Sequence, residues 1–209
     1  MKIEFYADFT CPFSYMGKRR LDEVIEASEE PIEFELKAFQ LTPEASTTDT
    51  MRTVDLLAKK FGKSEEETLQ TTFRLRDQAK DEFNLEYNYD TMKAPNTLKA
   101  HRLTKWGAQF GKDRELTEGF FAAIFTKGLD LNKEEDLLAV IAEVGLDVEE
   151  AKKILQTDEF KDEVSNDRRN AIKKGIRSVP TYIIQDEFIV PGAKPVDVFL
   201  NAIEKAKAK

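Results

Sequence analysis

The sequence predicts an α/β fold whose small sheet is built from the two ends of the chain. Segments 2–6 and 32–38 have strand patterns and flank a helical pattern, and segments 179–184 and 188–190 are rich in β-forming residues. The long stretch between these halves has helical patterns only. Strand, helix and strand within about 40 residues form a βαβ unit with parallel strands.

The first half can be followed element by element. Ile3 and Phe5 alternate with polar neighbours, which predicts a strand. Residues 15–29 repeat apolar side chains at roughly helical spacing, and Pro31 ends that helix. Segment 32–38 then alternates apolar with charged residues, which is typical of a strand with one buried face.

The middle of the chain carries helix signals. Ser64 followed by Glu67 is a capping box, and several glycines stand where helices would end. We expect helices near 51–61, 65–82, 96–110, 113–127, 133–144, 148–156 and 158–174.

The strand signal returns after Gly175. Residues 185–187 can turn between the two β-rich segments, which predicts a hairpin. Pro195 opens a last helix, in which Phe199 and Ile203 share one face. The βαβ and ββα units together make a thioredoxin fold with a large all-helical insertion. We assign residues 1–45 and 175–209 to the thioredoxin-fold domain and residues 46–174 to the helical insertion domain.

Composition limits the classes of function. Lys plus Arg is 32 and Asp plus Glu is 40, so the net charge of −8 argues against nucleic acid as a partner, which would need a basic patch. No stretch approaches the roughly 20 apolar residues of a membrane span, so no membrane partner is expected.

The chain begins with Met and enters a charged alternating pattern without an apolar secretory signal, so we expect a cytoplasmic protein. One Cys and one His leave no internal disulfide and few metal geometries, so we expect neither a metal nor a bound cofactor.

The one cysteine, Cys11, follows the first strand and opens the first helix. Free N–H groups and the helix dipole stabilise an anion there, so we expect a lowered thiol pKa. Pro12 suits the first helical position, and the Ser14 hydroxyl, one turn on, can donate to the thiolate. The alternative is that Cys11 is a buried small apolar residue.

Val179-Pro180 is the second candidate element. Taken alone, Pro180 simply starts a strand. In the predicted fold, however, this strand borders Cys11, and a cis bond before the proline would direct the backbone at the thiol.

Three further side chains have open roles. Asp8 can relay protons beneath the thiol or cap the helix. His101 can activate the thiol as a base, although a helix-surface or interdomain hydrogen-bonding role is favoured. Arg177 can lower the Cys11 pKa or bind an acidic ligand, although a solvated surface position is favoured.

At this point the sequence resembles the DsbA-like thioredoxin family, most closely its FrnE-like cytoplasmic branch. The resemblance spans nearly the whole chain and is carried by segments 8–18, 38–43, 96–103, 175–182 and 190–195, which include Cys11-Pro12-Phe13-Ser14 and Val179-Pro180. It implies a cis peptide before Pro180, a helical insertion and thiol-disulfide chemistry.

The chain departs from the family motif at one position. The family has Cys-x-x-Cys, and here Ser14 replaces the second cysteine. Cys11 alone can attack a disulfide, but an external thiol such as glutathione must then act as co-substrate to resolve it. We therefore predict a monothiol oxidoreductase with Cys11 and Ser14 as catalytic residues. Pro12, Phe13, Val179 and Pro180 are the predicted substrate-binding residues.

Two alternatives stay open. Kappa-class glutathione transferases and 2-hydroxychromene-2-carboxylate isomerases are similar in fold, and they carry Ser at the position of Cys11, so a glutathione-dependent transferase or isomerase is the second hypothesis. The third is a non-catalytic binding module. In the first case the expected partner is a protein or small-molecule disulfide, and a homodimer is a further expectation.

Overall fold

The computed structural model describes residues 1–208. Within that range, no helix is long and apolar enough to cross a membrane. In chain order, the elements are β1 (Lys2–Ala7), α1 (Pro12–Ala27), β2 (Glu33–Ala38), β3 (Met51–Arg52), α2 (Thr53–Phe61), α3 (Glu65–Phe83), β4 (Lys93–Ala94), α4 (Leu98–Ala108), α5 (Asp113–Phe125), α6 (Glu134–Val144), α7 (Val148–Gln156), α8 (Lys161–Lys173), β5 (Thr181–Ile184), β6 (Phe188–Pro191) and α9 (Val196–Lys207).

The two ends of the chain form one four-stranded sheet in the order β2-β1-β5-β6. β1 runs parallel to β2, with Ile3 beside Phe34, and antiparallel to β5, with Phe5 beside Tyr182. β5 and β6 form the predicted hairpin. The predicted fold class, a thioredoxin fold with a helical insertion, is confirmed.

The insertion also contains a short antiparallel pair, β3 with β4, that the sequence did not predict. Each strand has two residues, which is too short to show an alternating pattern. The Thr53 N–H extends the pairing by donating to the Met92 carbonyl oxygen at 2.9 Å. The last helix of the insertion begins at Lys161 rather than near 158, because Phe160 adopts a left-handed backbone conformation with φ 62°.

Aromatic packing joins the insertion to the segment that carries Cys11. The ring of Phe9 meets those of Phe120 and Phe121 on α5 at centroid distances of 5.4 and 5.2 Å, and Tyr15 on α1 stacks on Phe121 at 5.1 Å. Burial of rings of this size is a large stabilising contribution. The proposed domain limits at residues 45 and 175 stay a prediction, because one core cluster runs through both parts.

Candidate active site

Cys11 occupies the N-cap position of α1, and Pro12 is the first helical residue. The Cys11 N–H donates to the Asp8 carbonyl oxygen, and the Cys11 carbonyl oxygen accepts from the Ser14 N–H, both at 3.0 Å. From the insertion, the Tyr87 hydroxyl donates to the Pro12 carbonyl oxygen at 2.7 Å. Both parts of the chain therefore hold the turn that presents the thiol.

The thiol itself lies against the segment before β5. Cys11 is 6% exposed, and its Sγ donates to the Val179 carbonyl oxygen at 3.7 Å. The peptide bond between Val179 and Pro180 is cis. Gly17 on α1 permits this approach, because an added Cβ would stand 2.8 Å from Pro180 Cγ. Cys11 thus contacts the Val179-Pro180 segment, which lies far from it in sequence.

Burial raises the pKa of the Cys11 thiol above its ordinary value. The Ser14 hydroxyl and the N–H groups of Ser14 and Phe13 act in the opposite direction, while the Asp8 carboxylate adds to the increase. The expected lowering of this pKa is therefore wrong. The helix N-terminus is present as predicted, but the surrounding protein excludes the water that would solvate the thiolate.

Ser14 is fully buried, and its Oγ has no hydrogen-bond partner among the described residues while the thiol is protonated. When Cys11 loses its proton, the hydroxyl can donate to the thiolate, which is why it lowers the thiol pKa. Its position, one helical turn after the cysteine, agrees with the hydrogen-bonding role predicted from the sequence.

Asp8 does not cap α1, so that hypothesis is wrong. Its Oδ2 instead accepts from the Leu41 N–H at 2.8 Å and the Thr10 hydroxyl at 3.0 Å, because the side chain turns into the core. His101 on α4 places Nε2 3.5 Å from Asp8 Oδ1, and both side chains are buried. Burial would raise the pKa of Asp8, but His101 and the Leu41 N–H outweigh it and hold the pKa below its usual value.

His101 therefore lies inside the protein and joins the insertion to the loop before Cys11. A helix-surface position is therefore wrong. The favoured interdomain hydrogen-bonding role stays a prediction, because neither ring nitrogen has a hydrogen-bond partner among the described residues. Arg177 donates to the carbonyl oxygens of Ile172 and Ile176 at 2.8 and 3.3 Å, and so caps the end of α8.

Among residues 1–208, no group of three His, Cys, Asp or Glu side chains could hold a metal ion.

A cavity of about 570 Å³ opens beside Cys11, between the turn before α1 and helices α2 and α3. Pro12 and Phe13, the predicted substrate-binding residues of this turn, line it, and Phe13 and Phe61 are 50% and 62% exposed. Val179 and Pro180 do not line this cavity. They lie against the thiol itself, and their role in binding substrate stays a prediction.

The sequence analysis did not predict that α2 and α3 would form the other wall of this cavity. Their contribution includes Leu57, Phe61, Arg74 and Leu75. The face that a helix turns towards a distant cysteine depends on tertiary packing, which helical periodicity does not report. Phe61, at the end of α2, is identified as part of this wall only by the structure, which leaves its side chain largely exposed.

Comparison with known proteins agrees with this architecture. A probable DsbA oxidoreductase from Streptomyces coelicolor is 28% identical, with a TM-score of 0.92 over 100% of this chain and 91% of that one. The uncharacterized protein YwbO of Bacillus subtilis is 27% identical over 99% of this chain and 98% of its own length. The cytosolic disulfide reductase DsbM from Pseudomonas aeruginosa, solved with GSH, is similar in fold, with 14% identity and a TM-score of 0.70 over 98% of this chain and 100% of that one.

The match to a family model covers most of the chain. Residues 2–204 fit the model of the DSBA-like thioredoxin domain, a span that includes both halves of the sheet, the insertion and the Cys11 site. The chain belongs to the DSBA-like thioredoxin domain family.

Proposed function

We propose that the protein is a monothiol thiol-disulfide oxidoreductase in which Cys11 is the nucleophile and an external thiol completes the cycle. The observation that carries this proposal is the position of Cys11: at the start of α1, against the carbonyl oxygen before a cis-proline, and at the edge of an open cavity. A merely structural cysteine does not need an adjoining cavity.

The reaction proceeds by two exchanges. The Cys11 thiolate attacks one sulfur of a substrate disulfide, the S–S bond breaks, and the other sulfur leaves as a thiolate. A second thiolate, with glutathione as the proposed donor, then attacks the mixed disulfide, so that Cys11 is released and the external thiol is oxidised. Ser14 stabilises the thiolate at both stages by donating its hydroxyl hydrogen.

The Val179 carbonyl oxygen has a further role in this scheme. It accepts from the resting thiol, so it becomes free when Cys11 ionises or forms a mixed disulfide. It can then accept a hydrogen bond from a bound substrate, held in place by Pro180.

A raised thiol pKa is compatible with this chemistry. Each unit of increase reduces the thiolate fraction at neutral pH about ten-fold, but the remaining thiolate is more nucleophilic. With a Brønsted coefficient of about 0.4–0.5, the net loss of rate is only about three- to four-fold per unit.

The proposal extends to location and assembly. We assign the protein to the cytoplasm, and the support for this is that the fold-level neighbour from Pseudomonas aeruginosa is a cytosolic disulfide reductase. The FrnE-like branch rests on the resemblance of the sequence alone. Glutathione, which contributes to the thiol-disulfide poise of the cytosol, is the proposed resolving thiol. A homodimer stays a prediction, and analytical ultracentrifugation tests it.

A glutathionylated peptide provides the direct test. In the presence of glutathione, the wild type should accelerate peptide release, and Cys11→Ser should reduce the rate to background. Because Cys11 is the one cysteine of the chain, no other protein thiol can substitute for it. Equal slow rates for the wild type and Cys11→Ser would refute the redox proposal.

The same variant separates the alternatives. Cys11→Ser restores the residue that the transferases and isomerases carry, so conjugation of glutathione by both proteins would favour the transferase hypothesis. Binding of a peptide with no turnover by either would favour the non-catalytic module. Ser14→Cys supplies the missing sulfur and should give insulin reduction where the wild type gives none; background activity would contradict the proposed site.

A further inference from the structure

The cavity beside Cys11 has an unusual charge balance for this protein. The chain has a net charge of −8, yet among the described residues no Asp or Glu lines the cavity. Its walls are mostly apolar, with Leu57, Leu75 and Phe61 from α2 and α3. Of the residues that the structure describes, one charged side chain lines it, that of Arg74.

Among the arginines that the structure describes, Arg74 also differs from the others in having no partner. Its guanidinium makes no hydrogen bond or ion pair with any residue in the range 1–208. Neighbouring arginines are paired: Arg76 binds Asp77 at 2.9 Å, and Arg52 binds Asp55 at 2.7 Å. An unpaired cation beside an apolar cavity in an acidic protein favours an anionic ligand on electrostatic grounds.

Resting on the function proposed above, we propose that the substrate is a small organic disulfide with an apolar, ring-sized body and a carboxylate. Its sulfur reaches Cys11, its apolar body contacts Leu57 and Leu75, and its carboxylate binds Arg74. A volume of about 570 Å³ falls within the usual range for small-molecule sites. Arg74 is then the residue that determines charge specificity.

Two aromatic disulfides test this directly. Ellman's reagent, 5,5′-dithiobis(2-nitrobenzoate), carries a carboxylate on each ring, and 4,4′-dithiodipyridine is uncharged at neutral pH. With either reagent, the Cys11 thiolate forms a mixed disulfide and releases one coloured aryl thiolate or thione, so stopped-flow absorbance measures the rate. The quantity to compare is the rate with Ellman's reagent divided by the rate with 4,4′-dithiodipyridine, that is, the ratio of the anionic to the neutral reagent.

Arg74→Gln should lower this ratio about five-fold, which corresponds to about 1 kcal/mol, the upper range for an exposed ion pair. Arg76→Gln on the same helix is the matched control, because it removes the same charge outside the cavity and should leave the ratio unchanged. Raising the salt concentration should reduce the preference of the wild type for the anionic reagent. The preference of Arg74→Gln should stay nearly constant, because its charge at this position is already absent.

The outcomes separate this inference from the proposed function. If both variants lower the ratio equally, only net charge matters and the role of Arg74 is refuted. If wild type exchanges rapidly with a glutathionylated protein while Arg74→Gln leaves the ratio unaltered, the substrate is a protein disulfide and the inference fails although the function stands. If neither reagent reacts with native Cys11, while the unfolded protein reacts, the proposed function itself fails.

Discussion

Replacing Ser14 by alanine should stabilise the fold and, at the same time, make the thiol less reactive. The Ser14 hydroxyl is buried without a hydrogen-bond partner among the described residues. On folding it therefore loses its hydrogen bonds to water, and no bond within the resting protein replaces them. Its benefit arises only when Cys11 is ionised, because the hydroxyl then donates to the thiolate. The same group therefore opposes folding and promotes chemistry.

Both effects have a magnitude that can be measured. A buried, unsatisfied polar group costs about 1–3 kcal/mol, so Ser14→Ala should raise the free energy of unfolding by about 1 kcal/mol or more. For a chain of this size, that corresponds to a Tm increase of about 2–4 °C per kcal/mol. A hydrogen bond to a charged group contributes about 1.5–3 kcal/mol, so its loss should raise the Cys11 pKa further.

Two assays are needed. Urea denaturation at pH 7 gives the free energy of unfolding, and the pH dependence of alkylation by iodoacetamide gives the pKa of the one cysteine. Thr104→Val is the matched control, because it also deletes one buried helical hydroxyl. The Thr104 hydroxyl does have a partner, the Ala100 carbonyl oxygen at 2.9 Å, so its removal should lower stability by about 1 kcal/mol and leave the thiol pKa unchanged.

The two signs make the reasoning refutable. A loss of stability in Ser14→Ala would mean that the hydroxyl has a partner in the resting protein. An unchanged thiol pKa would mean that Ser14 does not donate to the thiolate, which would also remove it from the proposed catalytic mechanism.

Three further predictions concern the same region. Gly17→Ala places a Cβ 2.8 Å from Pro180 Cγ, so overpacking should cost about 1–3 kcal/mol in urea denaturation and slow disulfide exchange at Cys11. Asp8→Asn should flatten the acid side of the stability curve: the Asp8 pKa is lowered by folding, so its contribution is present above the unfolded pKa of about 3.9 and is lost as pH falls through the folded value. The same variant should lower the thiol pKa by removing a nearby negative charge. In the wild type, the alkylation rate should still be rising at pH 9, because burial raises the pKa of Cys11; a plateau near pH 7 would contradict the burial argument.

Much of the fold follows from local pattern. Alternation around Ile3 and Phe5 identified a strand, and the break at Cys11 and Pro12 identified a helix start; both are properties of a few consecutive residues. The approach of Val179 to Cys11 also followed, because a strand order typical of the fold brings the two segments together. Topology thus predicts which backbone segments meet.

The electrostatics of the site could not be predicted in this way. The helix N-terminus at Cys11 is a local feature and was visible in the sequence. Burial of the thiol instead depends on segments distant in sequence, such as the one that places the Val179 carbonyl oxygen against it. The carboxylate of Asp8 illustrates the same limit: the local pattern allows it to cap the helix, yet tertiary structure directs it to Leu41 and towards His101. Desolvation raises a thiol pKa and a helix N-terminus lowers it. Which of the two is larger depends on how the rest of the protein packs around the thiol.

The raised pKa also bears on the direction of the reaction. A protein oxidant of this fold type gains its driving force from a thiolate that is stabilised in the reduced protein, so that it gives up its disulfide readily. Cys11 is buried, its ionised form is disfavoured, and it lacks a second sulfur with which to hold a disulfide. The reduced form of Cys11 therefore gains no stabilisation from ionisation at neutral pH. When Cys11 forms a mixed disulfide with a substrate, no stabilised thiolate is lost. Within the proposed monothiol mechanism, we therefore expect reduction: a disulfide-bonded group is removed from a substrate and transferred to an external thiol.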